Sequence, residues 1–369
     1  MPKSVLYIGG FELPDKNAAA QRVIAIGKTL REMGYKVTYA GVSKEGFMGS
    51  TTYEGFECFN ISYPQSTKEW LRYIWQFLPL TKLETCNPDY VILYNFPAVA
   101  SLKILRYCHK KGIKVFHDTT EWELAEGHCL RDIIKNIDTQ LRMKYCLKKM
   151  DGVIAISRYL YDYYCDKVNT ILVPPTVDLK DEKWDRKREL TTGAIIKLVY
   201  AGSAGAKCKD RLDSVIDVVA RTRDLELKVV GLTHEQYVKD FGDIPEGCNN
   251  VMFTGRLPHK EAVEAVKGAD YQMLIREDTL KNRAGFPTKF TESISCCTPL
   301  IATLSSNIGD YLIDGVNGFV VDEDNPLDKV LGCVSCLSVE KRIEMKTYCR
   351  DNNPFDYHNY TSDLEKLFS

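Results

Sequence analysis

The sequence predicts an α/β protein of two doubly wound, Rossmann-like domains with parallel sheets. Three observations carry that prediction. Short apolar runs alternate with helical stretches along the whole chain. The runs are β-branched and apolar on both faces, as parallel strands covered by helices on both sides should be. The alternation also lapses near residue 176 and restarts near 195, each half carrying a glycine turn after its first strand.

The first half opens with the strand SVLYIGG, the helix AAAQRVIAIGKTLREMGY and the strand KVTYAGV, a βαβ unit. DYVILYN, the helix AVASLKILRYCHKKG, the strand IKVFHD, a long helix around 130–149, and the strands DGVIAIS and NTILVPP continue it. Residues 177–194 are charged, lack apolar periodicity and read as a linker. The second half runs IKLVYAGSAG, the helix DRLDSVIDVVARTRD, LELKVVG, NVMFTG, the helix HKEAVEAVKGA, YQMLI, the helix PTKFTESISCC, TPLIAT and NGFVV. The expected domains are therefore 1–176 and 195–350, with 351–369 as a closing segment. Because ligands bind at the carboxyl ends of such strands, a central cleft faced by both sheets is the expected site.

Composition removes several alternatives. The 369 residues are 44% hydrophobic and 27% charged, which excludes disordered and collagen-like classes. Forty-nine Lys+Arg oppose fifty Asp+Glu, so no global charge draws the chain to nucleic acid or membrane, though local patches can differ. The balance hides an asymmetry: residues 1–180 carry 24 basic and 19 acidic side chains, the remainder 25 and 31. Thirteen scattered cysteines suit free thiols in a reducing compartment. Cys333 and Cys336 form a C-x-x-C with no second pair at zinc spacing, so no metal is expected. MPKSVLYIGG is too weakly apolar for a signal peptide and no run approaches the ~20 residues of a membrane span, which predicts a cytoplasmic location.

The glycine turns choose between ligand classes. A dinucleotide fingerprint needs G-x-G-x-x-G and an acidic residue about twenty residues on. Gly9-Gly10 is followed by Phe11-Glu12-Leu13-Pro14, and the second strand ends Tyr39-Ala40-Gly41 without a carboxylate. In the second half Gly202, Ser203 and Gly205 precede Lys207 and Lys209, and lysines after a glycine turn suit a bare diphosphate. A nicotinamide oxidoreductase is thereby disfavoured. The most informative stretch is Arg276–Ile301. Pro287 suits the start of a helix, so the N–H groups of Thr288 and Lys289 attract anions. Glu292, three residues after Lys289, shares its helix face and can meet ribose hydroxyls beside a diphosphate.

On these residues the sequence resembles the retaining glycosyltransferase family four, whose enzymes have the two-domain GT-B fold. Ala284-Gly285-Phe286-Pro287-Thr288-Lys289-Phe290-Thr291-Glu292 falls on the family's E-G-F-G-x-x-x-x-E segment, and Cys297-Thr298-Pro299-Leu300-Ile301 on the family's small residues and Pro-Val-Ile. The nearer match is the subset reading P-x-K-x-x-E. Two positions depart: Ala284 stands where the family has the glutamate that touches the donor sugar, and Ser203 where it has a phosphate-binding arginine. Lys209 falls on the family's phosphate-binding lysine, and Arg256 in FTGRLP on the segment whose backbone meets the nucleobase. LVPPTVD resembles the start of the family's linker, and NPFDYHNYTSDLEKLF its terminal helix, which packs back on the first domain.

The resemblance implies a hexosyltransferase-type enzyme moving a sugar from a nucleotide-sugar donor to a saccharide or polyprenyl-linked acceptor. It implies retention, a role in cell-surface polysaccharide or glycoconjugate synthesis, and no cofactor or metal. Lys209, Lys289, Glu292 and His117 are the expected catalytic groups. The donor would meet Gly9, Gly10, Gly202, Ser203, Arg256, Gly285, Phe286 and Thr288 as well as Lys289 and Glu292. His117 with Asp118 and Glu121 would line the acceptor side beyond the strand IKVFHD. A nucleotide-sugar epimerase on the same architecture, or an inactive binding protein, stands as the alternative. KEWLRYIWQFLPL within 68–80, and six basic against two acidic residues in 131–149, suit either peripheral contact with the inner face of a membrane or an aromatic core beside a solvated basic helix.

Overall fold

A computed structural model describes residues 2–13, 18–44, 49–78, 80–202 and 209–369. The chain divides into two compact units: Met1–Thr176 with Ala284–Phe286 and Tyr357–Ser369, and Val177–Arg283 with Pro287–Asp356.

The first unit is built on strands β1 (Ser4–Gly9), β2 (Lys36–Ser43), β3 (Ser50–Tyr53), β4 (Phe56–Ser62), β5 (Tyr90–Tyr94), β6 (Lys114–Thr119), β7 (Gly152–Ala155) and β8 (Thr170–Leu172). Their order is β3-β4-β2-β1-β5-β6-β7-β8, parallel except for the antiparallel pair β3–β4. Alternation along each strand supplies a core on both faces. Val5 and Tyr7 join Ile92 and Phe116 on one side, whereas Leu6 and Ile8 join Val91 and Val115 on the other. That double burial explains why β5, YVILY, is apolar throughout. The terminal helix Thr361–Phe368 adds Leu364, Leu367 and Phe368 to the first of these cores.

The second unit holds β9 (Ile196–Ala201), β10 (Leu225–Val230), β11 (Val251–Gly255), β12 (Tyr271–Leu274), β13 (Leu300–Thr303) and β14 (Gly318–Val321), ordered β11-β10-β9-β12-β13-β14 and all parallel. Leu198 and Tyr200 face one core, Val199 the other.

Two expectations are revised. Residues 177–194 are not a free linker: Val177 pairs with Asp356, and Trp184, 1% exposed, packs with Val199 and Val230 in the second unit's core. Val177 and Leu190 are buried with it and Arg188 donates to the Cys296 carbonyl at 2.6 Å, so a few contacts fix a segment whose composition looks solvated. The helix around 130–149 is regular only over Leu130–Leu141, then widens into a π turn at Arg142–Cys146 and tightens into a 3₁₀ turn at Leu147–Lys149. The twelve cysteines among the described residues are all free thiols.

Candidate functional site

In the second unit a positive cluster forms at the carboxyl end of β9. The helix Thr288–Ser295 follows Pro287, whose φ of −74° and lack of a side-chain cap leave the first turn to be met from outside. From this turn the Lys289 ammonium reaches the Asp210 carboxylate, receives the face of the Tyr200 ring 4.1 Å away, and donates to the Tyr200 hydroxyl at 2.9 Å. Tyr200 in turn donates to Asp210 at 2.7 Å, and Arg276 Nε approaches the same carboxylate at 2.5 Å. Asp210 and Arg276 also pair as an isolated bridge, so the backbone fixes their distance. Burial works against ionising Asp210, but Lys289 and Arg276 outweigh it and hold the carboxyl far below the usual range. The side chains of Lys289 and Arg276 remain 16% and 10% exposed.

Gly202 makes room for this lysine. A Cβ there would lie 2.2 Å from Lys289 Cε and 2.3 Å from Nζ, so any larger residue would displace the ammonium. Glu292, one turn along the helix, lies 3.4 Å from His259 Nε2, and both are partly exposed. Lys209 is half-buried beside Asp210 in sequence, Thr288 is half-buried, and Arg256 is exposed just after β11. Ser203, Gly205 and Lys207 lie outside the described residues.

The first unit treats its expected residues differently. Gly9 ends β1, where a Cβ would sit 2.5 Å from Tyr94 Cβ; Gly10 is exposed. Gly285 and Phe286 are buried, and Ser157 donates to the Ala284 carbonyl at 2.8 Å, all within this unit.

His117 and Asp118 are not the open polar groups expected. β6 continues to Thr119, so both lie inside a strand covered on both faces, and each is 0% exposed. His117 accepts from Phe96 N–H at 3.3 Å and pairs with Thr119 Oγ1 at 2.7 Å. Burial first, then the charge of Arg142, pushes its pKa down to about 3, so the ring stays neutral. Asp118 receives Arg22 Nη2 at 2.7 Å and the Tyr7 hydroxyl at 2.5 Å. The polar groups that do lie at the strand ends are Asn95, Thr120 and the partly exposed Glu121, with Asn95 Nδ2 donating to Thr120 Oγ1 at 2.6 Å. Sequence reasoning missed Asn95, Tyr200, Asp210 and His259; a polar residue directly after an apolar strand is the signal that Asn95 offered. Among the described residues no group of three or more His, Cys, Asp or Glu is placed to hold a metal ion.

Comparison with known proteins places this architecture. A solved sucrose-phosphate synthase from Thermosynechococcus elongatus superposes with a TM-score of 0.74 at 13% identity, over 99% of this chain and 98% of that one. Anabaena HepE in complex with UDP and glucose gives 0.65 at 12% identity, over 99% of both chains. The chain has the GT-B fold. Within that fold, residues 185–347 match the family described as "Glycosyl transferases group 1", so the whole positive cluster falls inside the matched segment. A Methanocaldococcus jannaschii protein described as an uncharacterized glycosyltransferase is 20% identical over 219 residues, which spans 57% of this chain and 58% of that relative.

Proposed function

We propose that this GT-B protein is a glycosyltransferase that moves a sugar from a nucleotide-sugar donor to a saccharide or polyprenyl-linked saccharide, with retention, in the synthesis of a cell-surface polysaccharide or glycoconjugate. The observation that carries the reading is the gathering of cations at Asp210. One carboxylate faces two cations, Lys289 and Arg276, both partly accessible at the end of the central strand.

Breaking the anomeric C–O bond leaves charge on a departing diphosphate, and stabilising that charge is the main catalytic task. Lys289 is held in advance by Asp210 and Tyr200, so it needs little reorganisation to meet a phosphate oxygen. Lys209 and the N–H groups of Thr288 and Lys289 are the further donors in this reading, with Arg256 near the base and Gly285 and Phe286 beside the sugar. Glu292 accepts from the ribose hydroxyls, and His259, 3.4 Å away, orients it. Gly9 and Gly10 remain the first unit's donor-side candidates and Glu121 its acceptor-side candidate. His117 and Asp118, being closed off, leave the set of reacting groups.

A thermal-shift panel of UDP-, GDP-, ADP- and CMP-linked sugars tests the donor class, since a ligand that binds only the folded chain raises its melting temperature. HepE was solved with UDP and glucose, which makes a UDP-hexose the donor expected to stabilise. No shift with any nucleotide sugar would overturn the reading. The buried Ala284 at the family's sugar-contacting glutamate position favours one rival, a binding protein without transfer. Donor binding by calorimetry with no sugar passed to any acceptor would select that rival.

A further inference from the structure

The first unit turns an apolar helix face outward. In the helix Leu130–Leu141, Leu130, Ile133, Ile137 and Leu141 recur at three- and four-residue spacing, so they line one face. They are 72%, 47%, 62% and 36% exposed, where an ordinary surface helix would bury that stripe. Tyr145, 50% exposed, follows in the next turn, and the helix Thr67–Trp75 adds Leu71 and Trp75. The two helices are joined at this surface: the Arg131 guanidinium lies 5.2 Å over the Trp70 ring. Every exposed large apolar side chain among the first unit's described residues falls within 71–145. Four such side chains on one helix face form a stripe rather than scattered surface leucines.

Charge indicates what covers it. Arg131, Lys135, Lys144, Lys148 and Lys149 are all exposed, whereas the two carboxylates of the same stretch are half-buried and engaged. Asp132 accepts from the Cys129 thiol at 3.0 Å, and Asp138 from the Ala98 N–H at 2.9 Å. A second copy of the chain would bring like-charged flanks together. An anionic lipid surface satisfies both the apolar stripe and its cationic border.

We propose that this face docks on an anionic lipid bilayer, with the stripe seated at the acyl boundary and the flanking lysines and Arg131 among the headgroups. No helix among the described residues is long and apolar enough to cross a membrane, so the contact lies in the plane of the interface. The proposal is independent of the donor reading and stands on unit-one residues alone.

Co-sedimentation of the full chain with vesicles of phosphatidylcholine, alone or with about one-third phosphatidylglycerol, tests it. The wild type is expected to pellet with the anionic vesicles and to be released at roughly 0.5 M salt. Ile133→Glu with Ile137→Glu, and separately Lys144→Glu with Lys148→Glu, should each lower the bound fraction about tenfold. All four side chains are exposed, so an unchanged melting temperature checks the fold. Wild-type chain left in the supernatant at low salt overturns the proposal. So does equal pelleting of wild type and both double variants, or a wild-type dimer that the isoleucine variant dissociates with no vesicle binding. If the isoleucine variant does not fold, brominated-lipid vesicles decide. Quenching of tryptophan emission that Trp75→Phe diminishes supports docking, and no quenching overturns it.

Discussion

Both units bury a carboxylate against a tyrosine of their central strand, and they differ in how many cations they set beside it. In the first, Tyr7 of β1 donates to Asp118, and Arg22 binds the same carboxylate through Nη2 at 2.7 Å and Nε at 3.0 Å. Arg22 then donates to the carbonyls of Val173 and Pro174 at 2.8 and 3.1 Å, so helix, sheet and the end of β8 are tied at one point. In the second, Tyr200 of β9 donates to Asp210, which holds Arg276 and Lys289 together. One cation per carboxylate in a dry core is neutral and closed. Two per carboxylate at a partly open strand end gather cations where an anion can reach them. Similar residue types thus give a structural pin in one unit and a candidate phosphate site in the other, and the deciding variables are stoichiometry and exposure.

Removing each carboxylate is the strongest way to break that comparison. Asp118→Ala leaves Arg22, 3% exposed, with no anionic partner, and breaking a buried pair typically costs about 3–5 kcal/mol. Asp210→Ala leaves two cations that water can reach, so its cost should be nearer about 1–2 kcal/mol. Urea unfolding of both variants is the measurement. Equal losses would mean that the two clusters do the same work.

Periodicity reports burial along one segment, and that sets how much was readable in the sequence. The parallel strands stood out because burial on both faces leaves runs such as YVILY. The segment from Pro287 to Glu292 stood out because a proline, a lysine and a glutamate share one helical turn and its successor. Asp210, Tyr200 and His259 reach that turn from segments 30 to 90 residues away in sequence, and local pattern carries no information on such meetings. His117 and Asp118 were misplaced for a related reason. The apolar run stops at Phe116, but the strand continues through three polar residues because Asp118 finds its own cation on the helix Ala18–Glu32. A satisfied buried charge inside a strand has the same sequence signature as a strand end.

The open cluster makes its own prediction. Charge-assisted hydrogen bonds contribute about 1.5–3 kcal/mol each, so Lys289→Ala should weaken binding of the proposed nucleotide-sugar donor by roughly 10- to 100-fold while changing the melting temperature little. Lys209→Ala should give a smaller loss, and calorimetric titration that finds unchanged affinity in both variants would remove the diphosphate from this site. Gly202→Ala sharpens the point without touching a charge. Its Cβ would occupy the space of Lys289 Cε, so the ammonium must leave Asp210 or Tyr200. Donor affinity should fall about threefold to tenfold, less than for Lys289→Ala, because the displaced lysine can still find the phosphate by another rotamer.

A last prediction separates the two regions by pH. In the folded chain His117 is pushed down to about 3 by burial and by Arg142, whereas an unfolded histidine titrates near ~6.5. Between those values the unfolded chain binds a proton that the folded chain does not, so stability falls as pH drops from about 6.5 toward 3, by at most ~1.4 kcal/mol per unit. Above about 6.5 neither state is protonated and the histidine adds no pH dependence. Asp210 is shifted in the same downward sense, the effect of burial being outweighed by Lys289 and Arg276, but in a lower window: its stabilisation is complete above the ordinary carboxylate pKa of ~3.9 and is lost only as pH falls below that toward its depressed folded value. His117→Gln removes the titrating ring, so the variant should lose stability less steeply than wild type between pH 6 and 4.5, roughly, where Asp210 is still silent. Urea midpoints across that range give the two slopes. Parallel slopes would show that His117 takes up its proton in the folded chain, and so that its strand is open to water after all.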